Sequence, residues 1–200
     1  MCATSFRPRL PLTMTESKAL SAAREELLSL LREGGRGGAN RFGDRVRSLI
    51  SQLEQQQPSD LARDTHWLQG VWELRWSDGS QPYLTVAPWL ENLQVLDPKQ
   101  GRGMNLLRPA GPLADLLGIA VQARIAVEGS QRVSVRFERG GWLGPPWGDG
   151  RLQLLRQVNQ GFPAWLDITV LDQELRVCRG NAGTLFALLR RDDLAVEQFL

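Results

Sequence analysis

The 200-residue chain carries 24 Lys and Arg against 22 Asp and Glu, a formal charge of +2, and its hydrophobic fraction is 42%. Those values suit one soluble globular domain that buries roughly 70% of its unfolded surface, and they exclude the strongly basic field of a nucleic-acid partner. No run approaches the roughly 20 apolar residues that cross a bilayer as a helix, and no apolar signal core stands near the start.

Residues 1–14 read as a flexible tail. Pro8 and Pro11 oppose a helix there, and Met14-Thr15-Glu16-Ser17 resembles a natural start. Residues 15–66 read as N-terminal helices that pack on a β-barrel formed by the rest of the chain. Thr15 or Ser17 can cap a helix that runs to about Arg32, with Ala19, Leu20, Ala23, Leu27, Leu30 and Leu31 on one stripe. The glycines of residues 34–38 stop it. A second helix is expected from Asn40 to Gln56, with Phe42, Val46, Leu49, Ile50 and Leu53 on one face and Pro58 beyond its end. Residues 60–66 are expected to add a further turn of helix.

Residues 67–200 read as the β-barrel. From Gly70 the apolar period changes to two. Trp72, Leu74 and Trp76 alternate with Glu73 and Arg75. Val121, Ala123, Ile125 and Val127 alternate with polar residues, as do Val133, Val135 and Phe137. Further strands are expected at residues 83–87, 93–96, 104–108 and 152–158, and Pro112 to Leu117 as one helical turn. Three more strands close the chain, joined by a polar turn at Leu171-Asp172-Gln173-Glu174 and a permissive turn at residues 180–183. About ten short strands without long intervening helices predict an α+β, mainly β, molecule built on an antiparallel barrel. Closure removes exposed edges and leaves room for one small ligand.

The chemistry-bearing residues are few. His66 is the single histidine, beside Trp67, and reads as a capping or packing residue. No Cys/His cluster has zinc spacing, so no metal and no cofactor are expected. Gly101-Arg102-Gly103 lacks the third glycine and the βαβ context of a dinucleotide loop and reads as a turn. Asp167 alternates against Leu166 and Ile168 and reads as a solvated or ion-paired carboxylate. Cys2 and Cys178 fall in the tail and in a strand, which suggests a reducing compartment without disulfides. Only Lys18 and Lys99 are lysines; the arginine bias reads mainly as genome composition, with a minor contribution to binding phosphate or lipid headgroups.

Trp165, Leu166, Leu171, Asp172, Leu175, Arg176, Arg179, Gly180, Gly183 and Phe186 match, in register, the closing signature of the fibrillin family, also called plastid lipid-associated proteins. Val170 and Val177 depart from it. Arg41, Ile50, Leu53, Glu54 and Pro58 resemble the family's helix, and Leu68, Gly70, Trp72 and Leu74 its first strand. The resemblance runs from about Ala19 to Arg190. It implies a lipocalin-like barrel that handles lipids at thylakoid membranes or lipid globules.

Gly70-x-Trp72 also resembles the first strand of lipocalins, which implies a tryptophan closing the barrel floor under an arginine. Arg176, Arg179 and Arg190 are available for it. Asp172, Gly180, Gly183 and Phe186 belong to the same structural signature. The expected interior is lined by Leu74, Trp76, Val121, Ala123, Val133, Val135, Phe137 and Ile168. Trp89, Trp142 and Trp147 stand among turn-formers and either fold back onto the barrel or line a portal or lipid contact, the entrance then lying beside Trp89 and Trp142.

The expected function is non-catalytic binding of an apolar lipid such as a prenylquinone, carotenoid or fatty acyl lipid. The expected place is the cytoplasmic or stromal side, peripheral to thylakoids or globules. One alternative is a scaffold that meets a prenyl-lipid biosynthetic enzyme, or a photosystem-protection protein, through the N-terminal helices. Another is a bilin-lyase-like chaperone, which would want polar groups inside the barrel.

Overall fold

A computed structural model describes residues 14–148, 150–161, 163–181 and 183–200. The expected tail of residues 1–13 lies outside them. Helix α1 (Met14–Arg32) buries Leu20, Ala23, Leu27, Leu28 and Leu31. The second helix is shorter than its apolar stripe suggests. Gly37 takes a left-handed φ of 81°, so the chain enters as a short 3-10 helix at Gly38–Phe42 and reaches α geometry in α2 only at Gly43–Gln56. Helix α3 (Leu61–Leu68) starts at Asp60, whose carboxylate accepts the Ala62 N–H at 3.1 Å.

Nine strands are present among the described residues: β1 (Gly70–Ser77), β2 (Leu90–Asp97), β3 (Arg102–Pro109), β4 (Gly118–Glu128), β5 (Arg132–Trp147), β6 (Gly150–Gln157), β7 (Ala164–Leu171), β8 (Leu175–Gly180) and β9 (Leu185–Arg190). All pairings are antiparallel. The order β4-β3-β2-β1-β9-β8-β7-β5-β6, with β4 also paired to β5, closes a ring of every strand except β6. Closure works because β5 is long. Its first residues, 132–135, pair with β7, and its last, 139–147, pair with β6. Where the partner changes, the Gln160 side chain stands in for a strand. It accepts the Phe137 N–H at 2.6 Å and donates to the Val135 carbonyl at 3.2 Å.

Three sequence expectations are corrected. Residues 83–87 form no strand; Pro82–Leu84 is a 3-10 turn that presses Leu84 into the barrel interior. Residues 112–117 form successive turns rather than a helix turn. Trp142 and Trp147, expected in loops, lie on β5. Gly and Pro fit there because the β5–β6 register slips between Leu143 and Pro146, where ladder donors are not required.

Three apolar clusters hold the molecule. The first packs α1 and α2 against the outer face of the ring, at Val170, Leu175, Val177, Leu185, Ala187 and Leu189. The second fills one end of the ring with Trp72, Leu74, Ile168, Cys178, Phe186 and Leu188, plugged by Leu61 and Leu68 of α3. The third folds the C-terminal residues Val196 and Phe199 over the outer face of β1–β4.

Candidate lipid site at the open end of the barrel

The closed end is built around Trp72, which is 0% exposed. Its indole N–H donates to the Leu68 carbonyl at 3.1 Å, tying β1 to the plug helix. Two guanidinium groups cover its ring, Arg190 at 4.6 Å and Arg176 at 5.2 Å from the centroid. Arg190 donates to the carbonyls of Gln173 and Gln69 at 2.7 and 2.9 Å, and also to that of Trp67. It passes directly over Gly70, where any Cβ would collide with its Nη1, so the glycine serves a close approach. Arg176 is fully buried inside the ring. It donates through Nη2 to Gln94, while Nε and Nη1 have no hydrogen-bond partner among the described residues. Burial pushes its pKa down.

Arg179 points the other way, to the outside, and grips Glu54 of α2 at 2.9 and 2.6 Å. Asp172 binds Arg24 of α1 at 2.7 and 3.0 Å and accepts the N–H groups of Glu174 and Leu175 at 2.8 and 2.9 Å. Phe186 lies inside, and a Cβ on Gly180 would press on its ring at 3.3 Å. Gly183 holds a left-handed φ of 80° in the β8–β9 turn. These signature positions touch one another, the helices or the plug.

The residues expected to line the interior divide into two groups. Antiparallel register keeps Val121, Ala123, Val133, Val135, Phe137 and Trp142 on the inner side of β4 and β5. Leu74 and Ile168 are also inside, but with Val133 they belong to the filled end with Trp72. Trp76 does not face the interior. The β1–β9 register shifts between Leu74 and Trp76, and one extra residue turns Trp76 outward onto α2. Its ring lies under Arg47 at 5.6 Å and beside Gly43.

The opposite end of the ring is open. In register across it, Leu107 of β3 faces Ile119 of β4, Ile119 faces Trp142 of β5, and Trp142 faces Leu154 of β6. All four are on the concave side, yet Ile119 is 62%, Trp142 39% and Leu154 66% exposed. Trp142 is oriented by its indole N–H, which donates to the Leu116 carbonyl at 2.9 Å. Trp89, 67% exposed, precedes β2 at the same end, and Trp147, 74% exposed, ends β5 there. The turn before β4 adds Leu113, Leu116 and Leu117, also exposed.

Three groups were missed from sequence. Asn92, Gln94 and Asn105 sit on the inner side of β2 and β3, so the interior is not purely apolar. The concave extension by β6 was missed because Leu152 and Leu154 alternate like any half-buried strand. Outside the ring, Glu73 and Glu91 are buried side by side and share Arg36 and Arg191; Arg108 binds Glu91 at 2.7 Å. Hydrogen bonds from Arg191 and Arg108 outweigh the burial that would raise the Glu91 carboxyl, and hold it below its ordinary value. Elsewhere, His66 is exposed and packs tilted against Trp67, with ring centroids 4.5 Å apart, and Asp167 pairs with Arg132 at 2.7 Å. Among the described residues no group of His, Cys, Asp or Glu is placed to hold a metal ion, and no helix is long and apolar enough to cross a membrane.

Two light-induced chloroplast proteins, from Solanum tuberosum and Solanum demissum, are each 26% identical over a 194-residue alignment that covers 71% of this chain and 58% of theirs. Plastid lipid-associated protein 1 of Brassica campestris, chloroplastic, is 25% identical, with 72% of this chain and 59% of its own length covered. The chain thus spans less than two thirds of the length of these relatives. No solved structure matches it. The PAP_fibrillin family model matches residues 21–161 and 153–189, which include Trp72 and Arg176 of the closed end and the open concave strands. The chain belongs to the plastid lipid-associated protein (PAP)/fibrillin family.

Proposed function

We propose that the protein is a non-catalytic lipid binder whose open barrel end takes an apolar lipid such as a prenylquinone, carotenoid or fatty acyl chain from a membrane or lipid-globule surface. The observation that carries this reading is the row Ile119–Trp142–Leu154, exposed on the concave side and continuous with Val121 and Phe137 deeper in. Contiguous exposed apolar side chains mark an interaction surface. Covering them removes apolar area from water at about 25 cal/mol per Å². The closed end, filled around Trp72, sets the depth of the site, and Trp89, Leu117 and Trp147 ring its rim, where indoles favour a membrane–water boundary. The names of the relatives, chloroplastic and in one case plastid lipid-associated, support a lipid setting; the place proposed within it is peripheral to thylakoid-type membranes or globules, on the stromal or cytoplasmic side.

A protein partner that approached α1 and α2 would meet their polar faces, because their apolar stripes are already spent on the ring. Lipid extraction and mass spectrometry of the protein purified from its source tests the proposal. A stoichiometric prenyl or acyl lipid that is lost in an Ile119→Asp, Leu154→Asp variant is the expected result. A lipid-free protein, or a lipid retained by that variant, overturns it.

A further inference from the structure

We propose that the outer face of β3–β5 binds a phosphate or sulfonate oxyanion. The register stands Arg102 opposite Arg124, and Arg124 opposite Arg136, so three guanidinium groups form one line across adjacent strands. Arg139 stands on the same face of β5, opposite Gln122 on one side and Gln157 on the other. Strands lie about 4.8 Å apart, and like charges directly opposed across a sheet repel.

Most other arginines among the described residues are answered by carboxylates, such as Arg24 by Asp172, Arg45 by Glu26, Arg132 by Asp167 and Arg179 by Glu54, while Arg176 and Arg190 are held by Gln94 and by backbone carbonyls. Here the answer is incomplete. Glu138 binds Arg124 at 2.9 Å. Asp97, opposite Arg102, accepts the Gln100 N–H at 3.3 Å and makes no ion pair with it. Arg136 and Arg139 have no carboxylate partner among the described residues, and both are exposed. Together with Arg124 they line a groove of about 1470 Å³ that also takes in Ser134, Gln157 and Asn159, the Glu138 carboxylate already bound to Arg124, and Val135 and Phe137 from the inner side.

A planar guanidinium matches two oxygens of a phosphate or sulfonate, and several converging on one groove supply the charge that the protein itself omits. By register the arginines stand on the convex side of the sheet, opposite to Val135 and Phe137, so the oxyanion site rests on them and not on the apolar-lipid reading. The same chemistry is offered by an anionic lipid headgroup or by a soluble phosphorylated compound.

The test compares the native protein with an Arg136→Gln, Arg139→Gln variant. The probes are inorganic phosphate and sulfate against chloride at equal ionic strength, and vesicles of phosphatidylcholine with and without phosphatidylglycerol. The variant should melt in chloride no lower than the native protein, because repulsion is relieved. Selective pelleting of the native protein with phosphatidylglycerol vesicles, weakened roughly fivefold per arginine removed, identifies a lipid headgroup. A phosphate-specific rise in melting temperature of the native protein alone, without selective pelleting, identifies a soluble phosphorylated ligand. Equal pelleting by both vesicle types leaves the apolar mouth intact but overturns the oxyanion site, as does any anion response that the glutamine variant shares.

Discussion

Trp72 illustrates how one side chain can close a barrel. It fills the floor, and its indole N–H holds the plug helix through Leu68. Trp72→Ala should cost about 3–5 kcal/mol in a denaturant titration. The two arginines over it are not equivalent. Arg190 satisfies three backbone carbonyls, so Arg190→Met should destabilise clearly. Arg176 is a buried cation with two unpaired donor atoms, and an apolar replacement of a buried charge is often neutral or favourable. Arg176→Met should therefore cost little, and a loss as large as that of Arg190→Met would contradict this assignment.

Asp172 carries a pH dependence. Burial pushes its carboxyl up, but the hydrogen bonds from Arg24 and from the Glu174 and Leu175 N–H groups prevail and hold it below the ordinary range. A depressed folded value means the stabilisation is fully present above the unfolded pKa of about 3.9 and is lost as pH falls through the lower folded value. Unfolding followed from neutral pH down to acid should lose stability there, and Asp172→Asn should flatten that part of the profile.

The plug helix and the bulged first strand each carry a distinct load. Leu68→Ala opens a cavity under Trp72 and should cost about 2–5 kcal/mol without touching the mouth. Trp76 turns outward at the bulge after Leu74, so Trp76→Ala should loosen α1 and α2 yet leave lipid affinity unchanged; weaker lipid binding by a folded Trp76→Ala protein would place that ring inside. Strict alternation was readable in β4 and the first half of β5, and it put Val121, Ala123, Val135 and Phe137 on one face correctly. The alternation in β1 was equally clean, but a bulge leaves no mark in side-chain polarity. The second half of β5 was hidden by Gly140, Gly141, Gly144, Pro145 and Pro146, which signal a loop unless an irregular partner such as β6 tolerates them.

For the molecule as a whole, a closed ring with α1 and α2 against its outer wall was legible in the change of apolar period at Gly70. Its two unlike ends were not. Filling depends on which inward residues share a level, and that is set by ring closure between strands distant in sequence. The result is a barrel packed solid around Trp72 and open at Trp142. The most direct measurement is a fluorescence titration with a short-chain prenylquinone, read in the native protein and in Ile119→Asp, Leu154→Asp. Saturable quenching in the native protein is expected because Trp142, Trp89 and Trp147 ring the opening; the variant should lose it while melting at the same temperature. Absent quenching, or equal quenching in both proteins, would contradict lipid entry at the open end.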